Sequence, residues 1–308
     1  MLDQIEGLHH VTSMASDARA NNAFFTDTLG LRRVKKTVNF DAPDVYHLYY
    51  GDAAGSPGSI MTYFPFSDMG RRTPGTGEVG QTVFAVPKGA LPFWRERLAA
   101  HGVAQLAEDT RFGAPRLTFA GPDADELALV ESDDGRHGWS GGGVPDDAAI
   151  RGFDSVSLRL RDGGATEELL RFMGYVPGDR DGPVTRWRHE NGNGADAVDL
   201  EVLPEARRAG PGAGAVHHVA FAVTDRAAQL AARKALLDTG YQVTPVIDRD
   251  YFWSIYFRTP GGVLFEIATD EPGFARDEEA AHLGEALKLP SQHAHLRDWL
   301  ERNLEPLE

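Results

Sequence analysis

The sequence of 308 residues contains no cysteine, which excludes both disulfide bonds and thiolate metal ligands. It also has no apolar run approaching the roughly 18–20 residues that span a bilayer. Positive charge is scarce, because 31 Lys and Arg stand against 46 Asp and Glu, for a net charge of −15. That balance argues against a nucleic acid or an anionic membrane as a partner, since both select basic surfaces. The short acidic opening, Met1–Glu6, lacks the apolar stretch of a secretory signal, so we expect a cytoplasmic protein.

The sequence does contain one ten-residue motif that occurs twice. Residues 8–17 read Leu-His-His-Val-Thr-Ser-Met-Ala-Ser-Asp, and residues 216–225 read Val-His-His-Val-Ala-Phe-Ala-Val-Thr-Asp. In both copies a His-His pair opens a run of β-type residues, and the closing Asp is a natural N-cap for a following helix. A carboxylate, Glu266, follows the second copy. Two imidazoles and one carboxylate are the donors of a metal site with open positions, and this is the first functional hypothesis.

The surrounding sequence repeats one unit four times, in the order strand, helix and three strands. In the first unit the pattern predicts a strand at Ile5–Ser16, a helix capped by Asp17 and stopped by Gly30, and three strands within residues 31–64. The other units begin with strands at residues 82, 155 and 216.

We therefore predict an α+β fold, in which four βαβββ modules pair into two cup-shaped antiparallel sheets with the helices outside. Two glycine-rich segments, residues 133–147 and 205–214, have the composition of linkers. The expected domains are residues 1–147 with modules one and two, residues 148–270 with modules three and four, and a C-terminal helical tail at residues 271–308, with helices at 278–289 and 296–304.

Strand side chains alternate between two faces, so the two histidines of each pair should point in opposite directions. In the second copy His217 shares its face with Val219 and Phe221, which is suited to packing beneath a helix. His218 shares the other face with Ala220 and Ala222, whose small side chains leave room in a cup. The pattern therefore predicts that His218 is a ligand.

The spacing to the helix-capping Asp transfers this result to the first copy and makes His10 the equivalent of His218. The same alternation places Glu266 with Leu264 and Ala268, opposite an apolar face, and a buried carboxylate needs a partner such as a metal ion. The other two modules carry Gln81, Ser155 and Ala128 at the corresponding positions, so one site is expected between the two ends of the chain. We expect the remaining histidines to be surface or supporting groups: His47, His101, His137, His189, His282, His293 and His295.

Two histidines and one carboxylate form the facial triad of non-haem Fe(II) oxygenases. Zinc held by the same donors is the competing interpretation, although zinc hydrolases usually place their ligands on a His-Glu-x-x-His helix, which is absent. The donor set alone leaves Mn(II), Ni(II) and Zn(II) open.

Further motifs carry a resemblance to a known family. They include Val-Tyr-His-Leu-Tyr-Tyr-Gly-Asp at 45–52, Pro-Gly-Ser-Ile-Met-Thr-Tyr-Phe-Pro at 57–65, Tyr-Phe-Trp-Ser-Ile-Tyr-Phe-Arg-Thr-Pro-Gly-Gly at 251–262 and Gly-Phe-Ala-Arg-Asp-Glu at 273–278. Together with the two His-His motifs, these stretches make the chain resemble the vicinal oxygen chelate superfamily of glyoxalases, bleomycin-resistance proteins and extradiol dioxygenases. The resemblance covers nearly the whole chain and is greatest to the ring-cleaving branch typified by hydroquinone 1,2-dioxygenases.

The resemblance implies Fe(II) held by His10, His218 and Glu266, and a contact of Tyr256 with the iron-bound substrate or oxygen. It also implies that four further residues lie near the site: His9, Thr12, His217 and Arg249. Alternation supports Tyr256, since it shares a face with Phe252 and Ser254. For His217, the apolar face that it shares argues for orienting a neighbour and against touching the substrate.

The implied activity is an Fe(II)-dependent ring-cleaving dioxygenase that opens a hydroquinone-type or catechol-type ring, with a small aromatic substrate and O2 as its partners. One alternative is a glyoxalase-like isomerase or lyase, which typically requires a second carboxylate that Met61 and Ala128 do not supply. Another is a metal-free protein that binds aromatic compounds, against which the presence of all three ligand residues speaks. The sequence leaves open whether the chain forms a homo-oligomer.

Overall fold

The structure, a computed structural model, describes residues 1–133 and 135–307; Asp134 of the expected linker and Glu308 of the expected tail lie outside the described residues. The strands are β1 Leu8–Ala15, β2 Arg32–Val38, β3 Tyr46–Gly51, β4 Ile60–Pro65, β5 Glu78–Pro87, β6 Ala107–Arg111, β7 Ala114–Ala120, β8 Glu126–Ser132, β9 Phe153–Leu160, β10 Tyr175–Asp181, β11 Val184–His189, β12 Ala197–Val202, β13 Val216–Val223, β14 Ile247–Asp248, β15 Phe252–Arg258 and β16 Leu264–Pro272. The helices are α1 Ala18–Ala23 (continued by a π-helical turn, Phe24–Thr28), α2 Leu91–Ala100, α3 Gly164–Phe172, α4 Arg226–Asp238 and α5 Arg297–Asn303.

These strands form two eight-stranded sheets, and each sheet combines two modules. The first has the order β14-β15-β16-β13-β1-β4-β3-β2 and joins the first module to the fourth; the second has the order β10-β11-β12-β9-β5-β8-β7-β6 and joins the second to the third. The central pairings, β1 with β13 and β5 with β9, are antiparallel. The two ends of the chain therefore meet in one sheet. The division of the chain into domains after residues 147 and 270 stays a prediction. It describes the order of the modules along the chain and not the sheets, because each sheet contains strands from both sides of residue 147.

The α+β architecture with paired modules is confirmed, but the sheets are mixed and not antiparallel throughout. Within each module the first strand lies parallel to the last one: β1 pairs with β4, β13 with β16, β5 with β8 and β9 with β12. The reason is topological, because the helix after the first strand is a crossover that returns the chain in the same direction, and the two turns of the following meander restore that direction.

The repeated Asp residues cap helices as expected. Asp17 accepts a hydrogen bond from the Ala20 amide and Asp225 accepts one from the Ala228 amide, each at 2.8 Å. Both caps begin a helix immediately after the strand that carries a His-His pair. Each copy of the repeated motif thus contains a strand of the sheet and the cap of the helix that follows that strand.

The tail differs from the expectation in its first half. Residues 278–289 hold only a short 3-10 turn at Ala280–His282, because Gly284 takes a positive φ of 75° and the chain then runs extended beside β2. The Lys288 amide donates to the Lys36 carbonyl at 2.9 Å. The second expected helix is present as α5. Between them the tail reaches the loop after β2, where Gln292 Nε2 donates to the Phe40 carbonyl at 2.8 Å.

Lys35 anchors the beginning of the tail to β2. Its side chain is fully buried and its ammonium group donates to the Phe274 carbonyl, at 3.1 Å, and to the carboxylates of Asp277 and Glu278. A buried ammonium with three acceptors is compensated, whereas one without them would be costly.

In the described part of the chain, no helix has the length and apolar character required for a membrane span.

Candidate metal centre

Three buried side chains converge where the first and fourth modules meet: His10 on β1, His218 on β13 and Glu266 on β16. The register explains the convergence, because Ala220 lies opposite His10 on one side and opposite Glu266 on the other. The two Nε2 atoms are 3.2 Å apart, and Glu266 Oε2 lies 2.9 Å from His218 Nε2 and 3.3 Å from His10 Nε2.

The environment of Glu266 Oε2 indicates that the cluster lacks a cation. This buried oxygen accepts no hydrogen bond of acceptable geometry, although two imidazole nitrogens lie close to it. An unpaired buried carboxylate oxygen is costly, and a cation would satisfy it. Donor atoms that share one metal ion, with bonds of about 2.1 Å at right angles, lie about 3 Å apart. The spacing and the chemistry of these donors therefore fit a divalent metal.

The protonation states of Glu266 and His218 also suit metal binding. Burial by itself would raise the pKa of Glu266, but the adjacent His10 and His218 rings hold that pKa well below its ordinary value. Burial lowers the pKa of His218. An ionised carboxylate and a neutral imidazole are the forms that coordinate metals, so these side chains need no proton release near neutral pH.

The other histidine of each pair holds its neighbour in place. His9 Nδ1 lies 2.9 Å from His10 Nδ1, and His217 Nδ1 lies 2.8 Å from His218 Nδ1. Burial and the adjacent ring lower the pKa of His9 to about 3. Partial desolvation of its ring and the adjacent His218 lower the pKa of His217 to about 4, so both side chains are neutral near pH 7. A neutral neighbour can accept the Nδ1–H of the inner ring, whose Nε2 is then left free for the centre.

The expectation that His217 packs beneath a helix is wrong. His217 is exposed and lines the mouth of a cavity. The cause is a pair of β-bulges: Leu8 and His10 lie opposite the consecutive residues Phe221 and Ala220, which makes His9 an extra residue. In the same way Thr12 and Ser13 lie opposite His218 and Val216, which makes His217 the extra residue. A bulge breaks strict alternation, and so both histidines of a pair reach the same side.

Sequence reasoning missed Ser254, which donates a hydrogen bond from its hydroxyl to Glu266 Oε1. Both side chains are buried, and the bond fixes the carboxylate so that its other oxygen faces the histidines. The available signal was that Ser254 and Tyr256 share a face of β15, two residues apart and beside the strand that carries Glu266.

Replacing Ser254 with Ala should weaken metal affinity by about 10–100-fold, the usual effect of losing a group that orients a ligand. Equilibrium metal titration of the purified variant measures the change. Ser157→Ala, at a buried serine on β9 of the other sheet, is the matched control and should bind metal as the wild type does. Equal affinities for the Ser254 variant and the wild type would show that the hydroxyl does not support Glu266.

A cavity of about 360 Å³ opens onto the centre and exposes His10 and His218. That volume is at the small end of the range for ligand sites and is suited to a single aromatic ring. One part of its wall is apolar and the other part is polar. The apolar residues are Met14, Phe40, Ala42, Phe64, Phe66, Met69 and Phe252; the others are Asn39, Asp41, His47, Tyr49, His217, Arg249 and Tyr256.

Tyr256 and Arg249 form the polar side of the cavity next to the centre. Arg249 Nε donates to the Tyr256 hydroxyl at 3.3 Å, and the guanidinium also lies 3.6 Å from Asp41. Burial and the charge of Glu266 raise the pKa of Tyr256, so the phenol keeps its proton. Its oxygen interacts with both Arg249 and Ser254, and the side chain lines the cavity, so the phenol can serve as a proton donor there.

The structure therefore brings all the residues implied by the resemblance to one place, with Thr12 buried beside His218 in the strand register. His47, expected at the surface or in a supporting position, is buried in the cavity wall. The cavity does not include the other six: His101, His137, His189, His282, His293 and His295.

Comparisons with known proteins agree with this architecture. The family model described as Glyoxalase/Bleomycin resistance protein/Dioxygenase superfamily matches residues 166–267. The chain is 43% identical over 302 residues to "Putative ring-cleaving dioxygenase MhqE" of Bacillus subtilis, covering 97% of this chain and 95% of the relative. It is 37% identical over 317 residues to the "Chlorohydroquinone/hydroquinone 1,2-dioxygenase" of Sphingobium indicum, covering 98% of this chain and 97% of that protein.

Solved structures show the same fold. The crystal structure of a "putative dioxygenase from Bacillus subtilis" superposes with a TM-score of 0.95 at 41% identity, covering 99% of this chain and 98% of that one. Glyoxalase I from Zea mays superposes with a TM-score of 0.63 at 13% identity, covering 86% of this chain and 92% of that one, and shares the fold alone.

Proposed function

The chain belongs to the glyoxalase/bleomycin resistance protein/dioxygenase superfamily, and from this premise we propose that it is an Fe(II)-dependent dioxygenase that cleaves a hydroquinone-type aromatic ring with O2. The observation that carries the proposal is the buried oxygen of Glu266, which faces two imidazole nitrogens without a proton donor of its own. The full-length similarity to a hydroquinone 1,2-dioxygenase supports the substrate class. The size of the cavity supports it as well, because there is room for about one substituted ring.

In this proposal His10, His218 and Glu266 hold the metal, and the cavity receives the phenol. When bound, Fe(II) supplies open coordination positions, lowers the pKa of a phenol hydroxyl and provides the redox chemistry with O2. His9 and His217 keep the two ligand rings oriented through their Nδ1 atoms.

The remaining polar residues handle protons and the remaining wall positions the ring. Tyr256 is a protonated phenol whose oxygen accepts from Arg249, so it acts as a proton donor toward oxygen atoms of the substrate. Met14, Phe64 and Phe252 line the cavity with apolar surface that excludes water and packs on an aromatic ring.

The two alternatives fit the site less well. A glyoxalase-like isomerase typically requires a second carboxylate ligand, and among residues 1–133 and 135–307 the metal-ligating cluster contains Glu266 as its one acid. A metal-free binding protein would leave Glu266 Oε2 buried and without a hydrogen-bond partner beside His10 and His218, which line the cavity. The buried donors thus favour a metal-dependent reaction.

Anaerobic reconstitution followed by O2 uptake tests the proposal. The protein should bind Fe(II) in equimolar amount and then consume O2 with one or more substituted hydroquinones or catechols. Parallel samples loaded with Mn(II), Ni(II) or Zn(II) are the controls, and we expect O2 uptake to be greatest with Fe(II). Absence of iron binding, or absence of O2 uptake with every phenol tried, would contradict the assignment.

A further inference from the structure

The C-terminal tail lies outside the proposed metal centre and proton donor, yet three consecutive residues of it bind both segments that meet at Arg249. We propose that Ser291, Gln292 and His293 are positioning residues that hold Arg249 in place and, through it, the hydroxyl of Tyr256. These three residues form a strap between a loop and a turn at the cavity. The inference deepens the proposed dioxygenase function and rests on it for its effect on turnover.

Arg249 depends on two segments of the first sheet. It lies in the turn between β14 and β15 (residues 249–251), and its side chain reaches the loop between β2 and β3 (residues 39–45). The guanidinium carbon is 5.2 Å from the centre of the Phe40 ring, and the guanidinium lies 3.6 Å from the Asp41 carboxylate. Arg249 Nε also donates to the Tyr256 hydroxyl at 3.3 Å. A shift of either segment would therefore move the guanidinium relative to Tyr256.

The first sheet does not itself hold this turn and this loop together. Its strand order places β14 at one edge and β2 at the other, so in the described part of the chain no strand pairing joins the two segments. The side chain of Arg249 bridges them. Its ion pair with Asp41 contributes little to this connection, because the Asp41 side chain is 83% exposed and surface ion pairs are weak.

The strap supplies a second connection through four hydrogen bonds. Ser291 donates twice to Asp250 of the turn, from its amide to Oδ2 at 3.0 Å and from its hydroxyl to Oδ1 at 2.8 Å. Gln292 Nε2 and His293 Nε2 each donate to the Phe40 carbonyl at 2.8 Å. Carboxylate and carbonyl oxygens can only accept, so the direction of all four bonds is fixed by chemistry. The strap thus bonds to the turn on one side and to the loop on the other.

The strap is itself fixed at both ends. Before it, the Lys288 amide donates to the Lys36 carbonyl of β2 at 2.9 Å. After it, Leu300 of α5 is fully buried, and the Tyr46 hydroxyl donates to the Glu305 carbonyl at 2.9 Å. A segment held between two anchors loses little further conformational freedom when it makes additional bonds. Its hydrogen bonds can therefore hold the turn and the loop at a small entropic cost.

The consequence concerns the proton donor of the proposed reaction. Because Arg249 contacts the Tyr256 hydroxyl, a mobile guanidinium would leave that hydroxyl free to turn away from the substrate. Catalytic groups must be held to within about 0.5 Å, so residues remote from the chemistry can affect its rate. The strap residues are not among those that line the cavity, and they therefore act by positioning and not by touching the substrate.

The first test needs neither metal nor activity. In metal-free protein labelled with 15N-arginine, the Nε–H signal of Arg249 is assigned by its loss in Arg249→Lys. The strap variant, Gln292→Ala/His293→Ala, should raise the solvent-exchange rate of this Nε–H by about threefold or more. The Nε–H of Arg186, which donates to Asp199 in the other sheet at 2.7 Å, is the internal control and should not change. An unaltered exchange rate at Arg249 would overturn the proposal.

His295→Ala is the matched control variant. His295 lies in the same 3-10 turn as the strap, is exposed, and makes no side-chain hydrogen bond within the described ranges. Its replacement should leave the exchange rate at Arg249 as in the wild type. An equal increase in this variant would also overturn the proposal, because the effect would then not come from the bonds to Phe40.

A double-mutant cycle on the iron-loaded enzyme tests the consequence. The strap variant should lower kcat by about three- to tenfold, the usual effect of one hydrogen bond, with metal affinity unchanged. In an Arg249→Ala background the same change should add nothing, because the strap acts through Arg249. His293→Gln, which can still donate to the Phe40 carbonyl, should retain more activity than His293→Leu. Independent, multiplicative losses in kcat would overturn the proposal.

The two tests separate this inference from the function on which it rests. A wild-type protein that consumes no O2, but whose Arg249 Nε–H exchanges faster in the strap variant, would refute the dioxygenase assignment and leave the strap intact. An active enzyme in which the strap variant changes neither this exchange rate nor kcat would refute the strap alone.

Discussion

Replacing Glu266 with Ala should abolish stable metal binding while the protein remains folded. Glu266 is the one anion among the three donors, and its carboxylate lies between the two histidines that complete the cluster. The loss should exceed the roughly 10–100-fold that removal of a supporting group costs. Elemental analysis after gel filtration measures the bound metal, and thermal unfolding measures the linked stability. With free metal at about 1,000 times its Kd, the wild type should gain about 4 kcal/mol and the variant nothing.

Glu131→Ala is the control for this experiment. Glu131 is also a strand glutamate at the end of a module, but it accepts a hydrogen bond from the Leu91 amide at the start of α2 and does not belong to the metal-ligating cluster. This variant should bind metal as the wild type does, even if it loses some thermal stability. Equal metal content in the Glu266 and Glu131 variants would remove Glu266 from the site.

Replacing Tyr256 with Phe should lower kcat by about 10²–10⁴-fold with metal content unchanged, the range typical of a lost acid–base group. The argument is that the phenol is protonated, accepts from Arg249 and lies against His218, with ring centroids 5.6 Å apart. Because Phe keeps the ring, the cavity retains its shape, and KM should change much less than kcat. Steady-state O2 uptake with the best phenol of the panel separates these two parameters.

Tyr241→Phe is the matched control for Tyr256. Tyr241 packs on Phe257, which follows Tyr256 on β15. The side chain of Phe257 faces away from the cavity. Its hydroxyl has no place in the site, so this variant should keep the kcat of the wild type. A Tyr256 variant with undiminished kcat would show that another group supplies the proton.

The modules and the three converging metal-ligating side chains could be predicted from the sequence alone, for physical reasons. A module is a local pattern of alternation, a capping Asp and a stopping Gly, so it can be recognised without knowing what it pairs with. The choice of His10, His218 and Glu266 needed alternation and the repeat together, and the structure places these side chains within 3.3 Å of one another.

What the sequence could not show depends on pairing between distant segments. The bulges at His9 and His217 arise from the fit of β1 against β13, which are about two hundred residues apart in the chain, and they invalidate strict alternation at those two positions. Ser254 and His47 escaped notice for the same reason, because their partners, Glu266 and Thr62, lie on neighbouring strands. In the tail, pairing with the edge of β2 outweighed the helical composition of residues 278–289.

The most direct test of the central claim is oxygen labelling in a single turnover. Iron-loaded protein mixed with a substituted hydroquinone under 18O2 should yield a ring-opened product that contains both labelled atoms, as mass spectrometry can measure. Incorporation of both atoms is what cleavage by a dioxygenase at the His10, His218 and Glu266 centre predicts. An unlabelled quinone accompanied by hydrogen peroxide would contradict it, because O2 would then have served only as an electron acceptor.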